Sequence, residues 1–281
     1  MDGDLVVAGT VGVWMTLVLG LDHGAALGAQ RLLGVATWVL LIGLARRETP
    51  LVRVQIAVVV VFATLIEYSF SGVLHVYVYR LDNVPMFVPP GHGLVYLAAL
   101  SLGRSRCFRD HSRALILATV VGGGAYAVWG LAISSRPDAL GAFWYLCLLG
   151  FLLWGRSRML YVGAFVAVTF LELLGTRLGT WQWHDLDPTG LVTIGNPPSG
   201  AAGGYGWFDL AAVVVAPRLI DIWQRSANLT AGVTTWTSAS AFRTPWRSRE
   251  HSSRSGRGAP KSAAFPPWRR STGSSIRRTT H

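Results

Sequence analysis

Long apolar runs dominate the first 225 positions, and short polar clusters interrupt them. Positions 5–21, 32–45, 54–66, 114–133 and 159–174 are almost free of charge, and runs of this length read as helices that cross a bilayer, for which about 20 residues suffice. The pattern predicts eight helices, at 4–21, 28–45, 52–71, 91–104, 113–134, 138–155, 158–176 and 201–221. The fourth is short, and Pro89-Pro90 at its start predicts entry from a loop at membrane depth. The fold expected is all-α and polytopic. The beginning, Met1-Asp2-Gly3-Asp4, is acidic where a secretory signal carries positive charge, so 4–21 reads as the first membrane helix.

Composition agrees with that picture. Charged residues are 14% of the chain and apolar types 51%, whereas an ordinary soluble domain has about 25% charged residues. The net charge of +11 is unevenly spread: 226–281 holds ten Lys/Arg against one Glu, a net of +9, which leaves +2 for everything before it. That segment is rich in Ser, Arg, Thr, Pro and Gly, and reads as a disordered basic tail. Its partner, if it has one, is anionic lipid headgroups, and no specific nucleic acid is expected. Two cysteines, Cys107 and Cys147, exclude a disulfide framework and read as packing residues.

Basic residues also bear on orientation. Arg46, Arg47 and Arg53, then Arg104, Arg106, Arg109 and Arg113, then Arg156 and Arg158, then Arg218 and Arg225 follow the even-numbered helices, whereas the odd-numbered ones are followed only by Arg31, Arg80, Arg136 and Arg177. From the positive-inside rule, an extracytoplasmic N-terminus and a cytoplasmic C-terminus are expected.

The chain contains a duplication. Glu67 is followed by Tyr77, Tyr79 and Asp82, then by Pro89-Pro90-Gly91-His92 and Tyr96. Glu172 is followed by Trp181, Trp183, His184 and Asp187, then by Asn196-Pro197-Pro198, Tyr205 and Asp209. In each copy an Asp comes fifteen residues after the Glu, and an aromatic-x-aromatic pair lies between them. The copies define a first four-helix repeat at 1–110 and a second at 111–225. Four helices return the chain to its starting side, so two such repeats share one orientation and their pseudo-twofold axis follows the membrane normal.

A carboxyl group in an apolar helix costs a few kcal/mol unless it faces the bundle and finds a partner or keeps its proton. Glu172 and Glu67 are therefore the candidate catalytic residues, as proton donors. Capping of irregular backbone after each helix is the other role open to them. The connections 72–90 and 176–200 hold the candidate substrate-binding set: Tyr77, Tyr79, Asp82, Trp181, Trp183, His184, Asp187 and Asn196, with His92, Tyr205 and Asp209 on the helices that follow. These rings could equally form an interfacial belt. No metal-ligand spacing, phosphate-binding loop or nucleophile elbow occurs, so no metal ligand is assigned and the cofactor is left open. Gly122-Gly123-Gly124, inside an apolar helix, predicts close helix packing.

The second copy, Glu172-x-x-Gly175-x-x-x-Gly179-x-Trp181-x-Trp183, resembles the pattern E-x-x-G-x-x-x-G-x-aromatic-x-aromatic of the integral membrane carotenoid-biosynthesis family, which includes carotenoid hydratases. The first copy departs from it, with Ser71-Gly72 out of register. The resemblance implies a membrane enzyme that modifies an isoprenoid or other lipid by proton-initiated hydration or cyclisation. Such chemistry needs an acid in a dry pocket and aromatic faces beside the cation. The rival function is a transporter or flippase with its site between the repeats, since paired carboxylates in a duplicated bundle also suit alternating access.

Overall fold

The computed structural model describes residues 2–155 and 157–240, with side chains through 226. The chain divides into two units, Met1–Gly232 and Val233–His281. Of the second, backbone to Ser240 is described.

The unit is a helical bundle. The helices are α1 (Gly3–Asp22), α2 (Leu27–Ala45), α3 (Pro50–Glu67), α4 (Val88–Arg104), the short α5 (Arg106–Asp110), α6 (Ser112–Ala132), α7 (Ala139–Trp154), α8 (Arg158–Arg177) and α9 (Ala201–Ser240). A π-helical turn, Tyr68–Val73, extends α3, and two short strands, β1 (Tyr77–Tyr79) and β2 (Trp181–Trp183), pair antiparallel. Five helices among the described residues are long and apolar enough to cross a membrane: α1, α2, α3 with its π turn, α6 and α8. Their outward faces are apolar, as at Val61 and Leu117, 62% and 63% exposed, which suits a lipid surround.

Local chemistry sets the ends of these elements. Asp2 caps α1 through the Asp4 N–H, and Thr49 caps α3 ahead of Pro50, whose fixed φ suits a first turn. Pro89-Pro90 lies inside the first turn of α4 rather than before it, for the same reason: a proline there forfeits no intrahelical hydrogen bond. The last helix continues to Ser240, into residues 226–240 that composition assigned to an unstructured tail. No proline interrupts that stretch, so helical hydrogen bonding propagates through it. Residues 241–281, and with them the remainder of the expected tail, lie outside the described residues.

The bundle is organised around α4, which packs against α1, α2, α3 and α8 and is buried almost throughout. It approaches α8 so closely that a Cβ on Gly163 would strike the Ala99 carbonyl, and one on Gly103 would strike the Met159 carbonyl. Of the glycine triplet in α6, Gly123 and Gly124 lie against the Tyr145 ring of α7, while Gly122 faces open space. Cys107 is exposed, and the packing side chain of α5 is its neighbour Phe108. Cys147 is half-buried.

Arg104, at the end of α4, donates to both Glu48 carboxylate oxygens at 2.8 and 2.9 Å and pairs with Asp4 at 3.0 Å. Asp2 accepts the Arg106 N–H at 2.7 Å. The start of α1 thus shares one end of the bundle with the α2–α3 connection and its Arg46 and Arg47. Two crossings return a chain to its starting side, so the loops after even-numbered helices lie with the N-terminus.

Candidate active site

The opposite end of the bundle holds a two-stranded ribbon over a chamber. Tyr77 pairs with Trp183, Val78 with Gln182 and Tyr79 with Trp181, so the two aromatic-x-aromatic segments lie side by side. Alternation along a strand puts both aromatic pairs on one face, over the bundle. Arg136 clamps the ribbon from the α6–α7 connection, donating to the Ile194 and Trp183 carbonyls at 2.7 Å each and pairing with Asp185 at 2.9 Å. Asp138, the N-cap of α7, fastens the 195–199 segment: its carboxylate accepts from the N–H groups of Gly141, Gly195 and Ser199 and from the Ser199 hydroxyl.

Each strand serves the glutamate that precedes it in the chain. Tyr77 and Tyr79 both donate to Glu67 Oε2 at 2.7 Å, and His92 Nε2 contacts Glu67 Oε1 at 2.8 Å. Burial first, and Glu67 second, push both phenols well above their ordinary range. Trp181 and Trp183 donate their indole N–H groups to Glu172 Oε2 at 3.0 and 3.2 Å. Among the described residues no donor reaches Glu172 Oε1. Glu67 therefore has both oxygens engaged, whereas Glu172 keeps one uncommitted. Both carboxyl groups are buried, at 6% and 4% exposure.

The glycines of the second copy have distinct local functions. Gly175 lies under the Trp181 indole, whose six-membered ring occupies the place of a Cβ. Gly179 has φ +71°, the left-handed conformation that lets the chain leave α8 and turn into β2.

The chamber has a volume of about 300 Å³. Glu67 and Glu172 line it together with Tyr77, Tyr79, His92, Trp181, Trp183 and Tyr205, and Phe62, Phe70, Phe87, Trp144, Trp207 and Phe208 complete its aromatic wall. Tyr205 stacks on His92 with ring centroids 5.1 Å apart. A second apolar space of about 350 Å³, bounded by α1, α4 and α8, shares Met15, Val95 and Leu171 with the chamber. Two carboxyl groups, one imidazole and three phenols in an otherwise apolar chamber can move protons and stabilise a cation.

Eight of the sequence candidates line the chamber: Glu67, Glu172, Tyr77, Tyr79, Trp181, Trp183, His92 and Tyr205. The others do not. Asp82 is exposed, at φ +52° in the turn after β1, and His184 is exposed beyond β2. Asp187 organises its own loop, accepting from Thr189, Leu191 and Val192, and those hydrogen bonds hold its carboxyl down at about 2. Asn196 braces the ribbon, accepting the Trp183 N–H and donating to Gln182. Asp209 is buried beside the chamber, in a smaller space of its own. The phenylalanines and Trp144 escaped the sequence reading, because an apolar ring in an apolar helix gives no sign of which side it faces. Among the described residues no group of three or more His, Cys, Asp or Glu is placed to hold a metal ion.

Comparison with family models, curated proteins and solved structures gives no match to this chain.

Proposed function

We propose that this protein is an integral membrane enzyme that modifies a long isoprenoid or similar lipophilic polyene by proton-initiated hydration or cyclisation. The observation that carries it is Glu172: a buried carboxyl group on the chamber wall, held at one oxygen by two indoles and left free at the other. That oxygen transfers a proton to a terminal double bond, leaving the Glu172 carboxylate and a tertiary carbocation. The Trp and Tyr faces stabilise the cation through their quadrupoles. In hydration, water adds to the cation and loses a proton; in cyclisation, a neighbouring double bond closes onto it and the adjacent carbon loses one. Glu67 and the Glu172 carboxylate are the acceptors at hand for the proton released.

The wall chemistry favours a lipophilic substrate, and the adjoining apolar space gives the remainder of a long chain somewhere to lie. The resemblance of the Glu172 to Trp183 segment to the carotenoid-biosynthesis pattern points the same way. Two four-helix repeats, with eight spans and an axis along the membrane normal, account for the antiparallel pairing of equivalent segments, because a twofold axis relates such segments in this way. The positive-inside rule then assigns the end bearing Arg46, Arg47 and Arg104 to the cytoplasm, with both termini there and the chamber toward the other face. Mass spectrometry of lipid that co-purifies with the full chain tests the substrate class. A retained polyene supports it, and bulk phospholipid alone contradicts it.

A further inference from the structure

Beside the chamber lies a smaller space of about 10 Å³, room for a single water molecule. Asp209 of α9 and Tyr96 and His92 of α4 form part of its wall, at 4%, 1% and 5% exposure. Each carries one buried polar atom with no hydrogen-bond partner among the described residues: Asp209 Oδ2, Tyr96 Oη and His92 Nδ1. Buried polar atoms in folded proteins are nearly always paired, and a buried water typically makes about three hydrogen bonds. We infer that these three atoms hold one water molecule, and that this water joins Asp209 to Glu67 as a proton relay. The water site stands on the packing alone, whereas its use as a relay rests on the enzymatic function proposed above.

The donor and acceptor roles are complementary. With Nε2–H donating to Glu67 Oε1 at 2.8 Å, a neutral His92 presents Nδ1 as an acceptor. Water supplies the missing donor, and it can also accept from Tyr96. A proton leaving Asp209 passes to the water oxygen, a water proton passes to Nδ1, and the Nε2 proton passes to Glu67 Oε1. One proton has left Asp209 and one has reached Glu67, the water is regenerated, and the imidazole is in its other tautomer. The reverse sequence restores the tautomer and carries a proton that Glu67 has accepted from the substrate cation back to the Asp209 carboxylate. Tyr205, stacked on His92, is the remaining ionisable residue on this wall, and the other lining residues are apolar. Asp209 is thus a positioning and relay residue that reaches substrate only through Glu67.

The test combines a high-resolution structure of the full chain in lipid with turnover of a linear isoprenoid polyene. Density for a water within hydrogen-bond reach of all three atoms is expected, and its absence overturns the site. Asp209→Asn is expected to lower kcat at least about tenfold while KM stays within about twofold, because removal of the proton that Glu67 accepts, and not binding, is impaired. Tyr96→Phe, which retains the ring, is expected to lose the water density and to slow turnover in the same way. Both variants turning over at the wild-type rate overturns the relay. A wild-type chain that turns over no polyene overturns the enzymatic function and the relay with it, and the density then decides the water site alone.

Discussion

Tyr77 and Trp183 face each other across the ribbon with ring centroids 4.5 Å apart, and each donates a hydrogen bond to a different buried glutamate, Glu67 for the phenol and Glu172 for the indole. The ribbon therefore joins the two carboxyl groups mechanically. A shift of either strand moves the donors of one glutamate and the packing of the other.

Glu172→Gln keeps the size of the side chain and its acceptor for the indoles but removes the ionisable proton. Activity is expected to fall at least about 100-fold, while the unfolding temperature stays within about 4 °C of wild type. Turnover measurements and a thermal melt on the same preparation check both.

Gly175→Ala places a methyl group where the Trp181 ring lies. Overpacking of this kind costs about 1–3 kcal/mol, and the ring must move away from Glu172 Oε2 to relieve it. The expected result is lower activity and a changed tryptophan emission in folded protein, read by fluorescence and turnover.

The Tyr77 and Tyr79 phenols are raised well above their ordinary value, chiefly by burial. An unfolded chain releases phenolic protons near pH 10, so the stability held by these groups is full below that pH and declines as pH rises above it. Unfolding temperature is expected to drop between pH 9 and pH 11 by more in wild type than in Tyr79→Phe. That variant loses about 1–3 kcal/mol at neutral pH through its missing hydrogen bond to Glu67.

Asp187 provides a contrasting control. Its hydrogen bonds lie within its own loop, away from the chamber. Asp187→Asn is expected to leave kcat and KM unchanged, and a marked loss of activity would show that this loop reaches the substrate.

The apolar helices were legible because they rest on residue type and spacing. An apolar run of membrane length has few other outcomes, and the two aromatic-x-aromatic segments that each follow a Glu are the ones the ribbon pairs. The fold adds physical reasons for Gly175 and Gly179, which the sequence offered only as letters in a motif. Asp82 and Asp187 misled, because equal spacing from the glutamates does not reveal that a short ribbon turns both residues outward. Asp138 was not singled out, since one carboxylate before an apolar helix reads as a cap, and only the fold brings Gly195 to the capping oxygen and Ser199 to the other. That the start of α1 shares an end of the bundle with the α2–α3 connection was implied by the parity of the first two helices, and the Arg104–Asp4 and Arg104–Glu48 pairs make it visible.

The most direct measurement incubates the full chain in lipid with a linear isoprenoid polyene in D2O and examines the product by mass spectrometry. Protonation of a double bond by an exchangeable carboxyl leaves one carbon-bound deuterium, whether the cation is then captured by water or closes into a ring. That deuterium is expected in product formed by the wild-type chain and absent with Glu172→Gln. Unlabelled substrate recovered from wild type, or equal labelling by the two proteins, would contradict Glu172 as the proton donor.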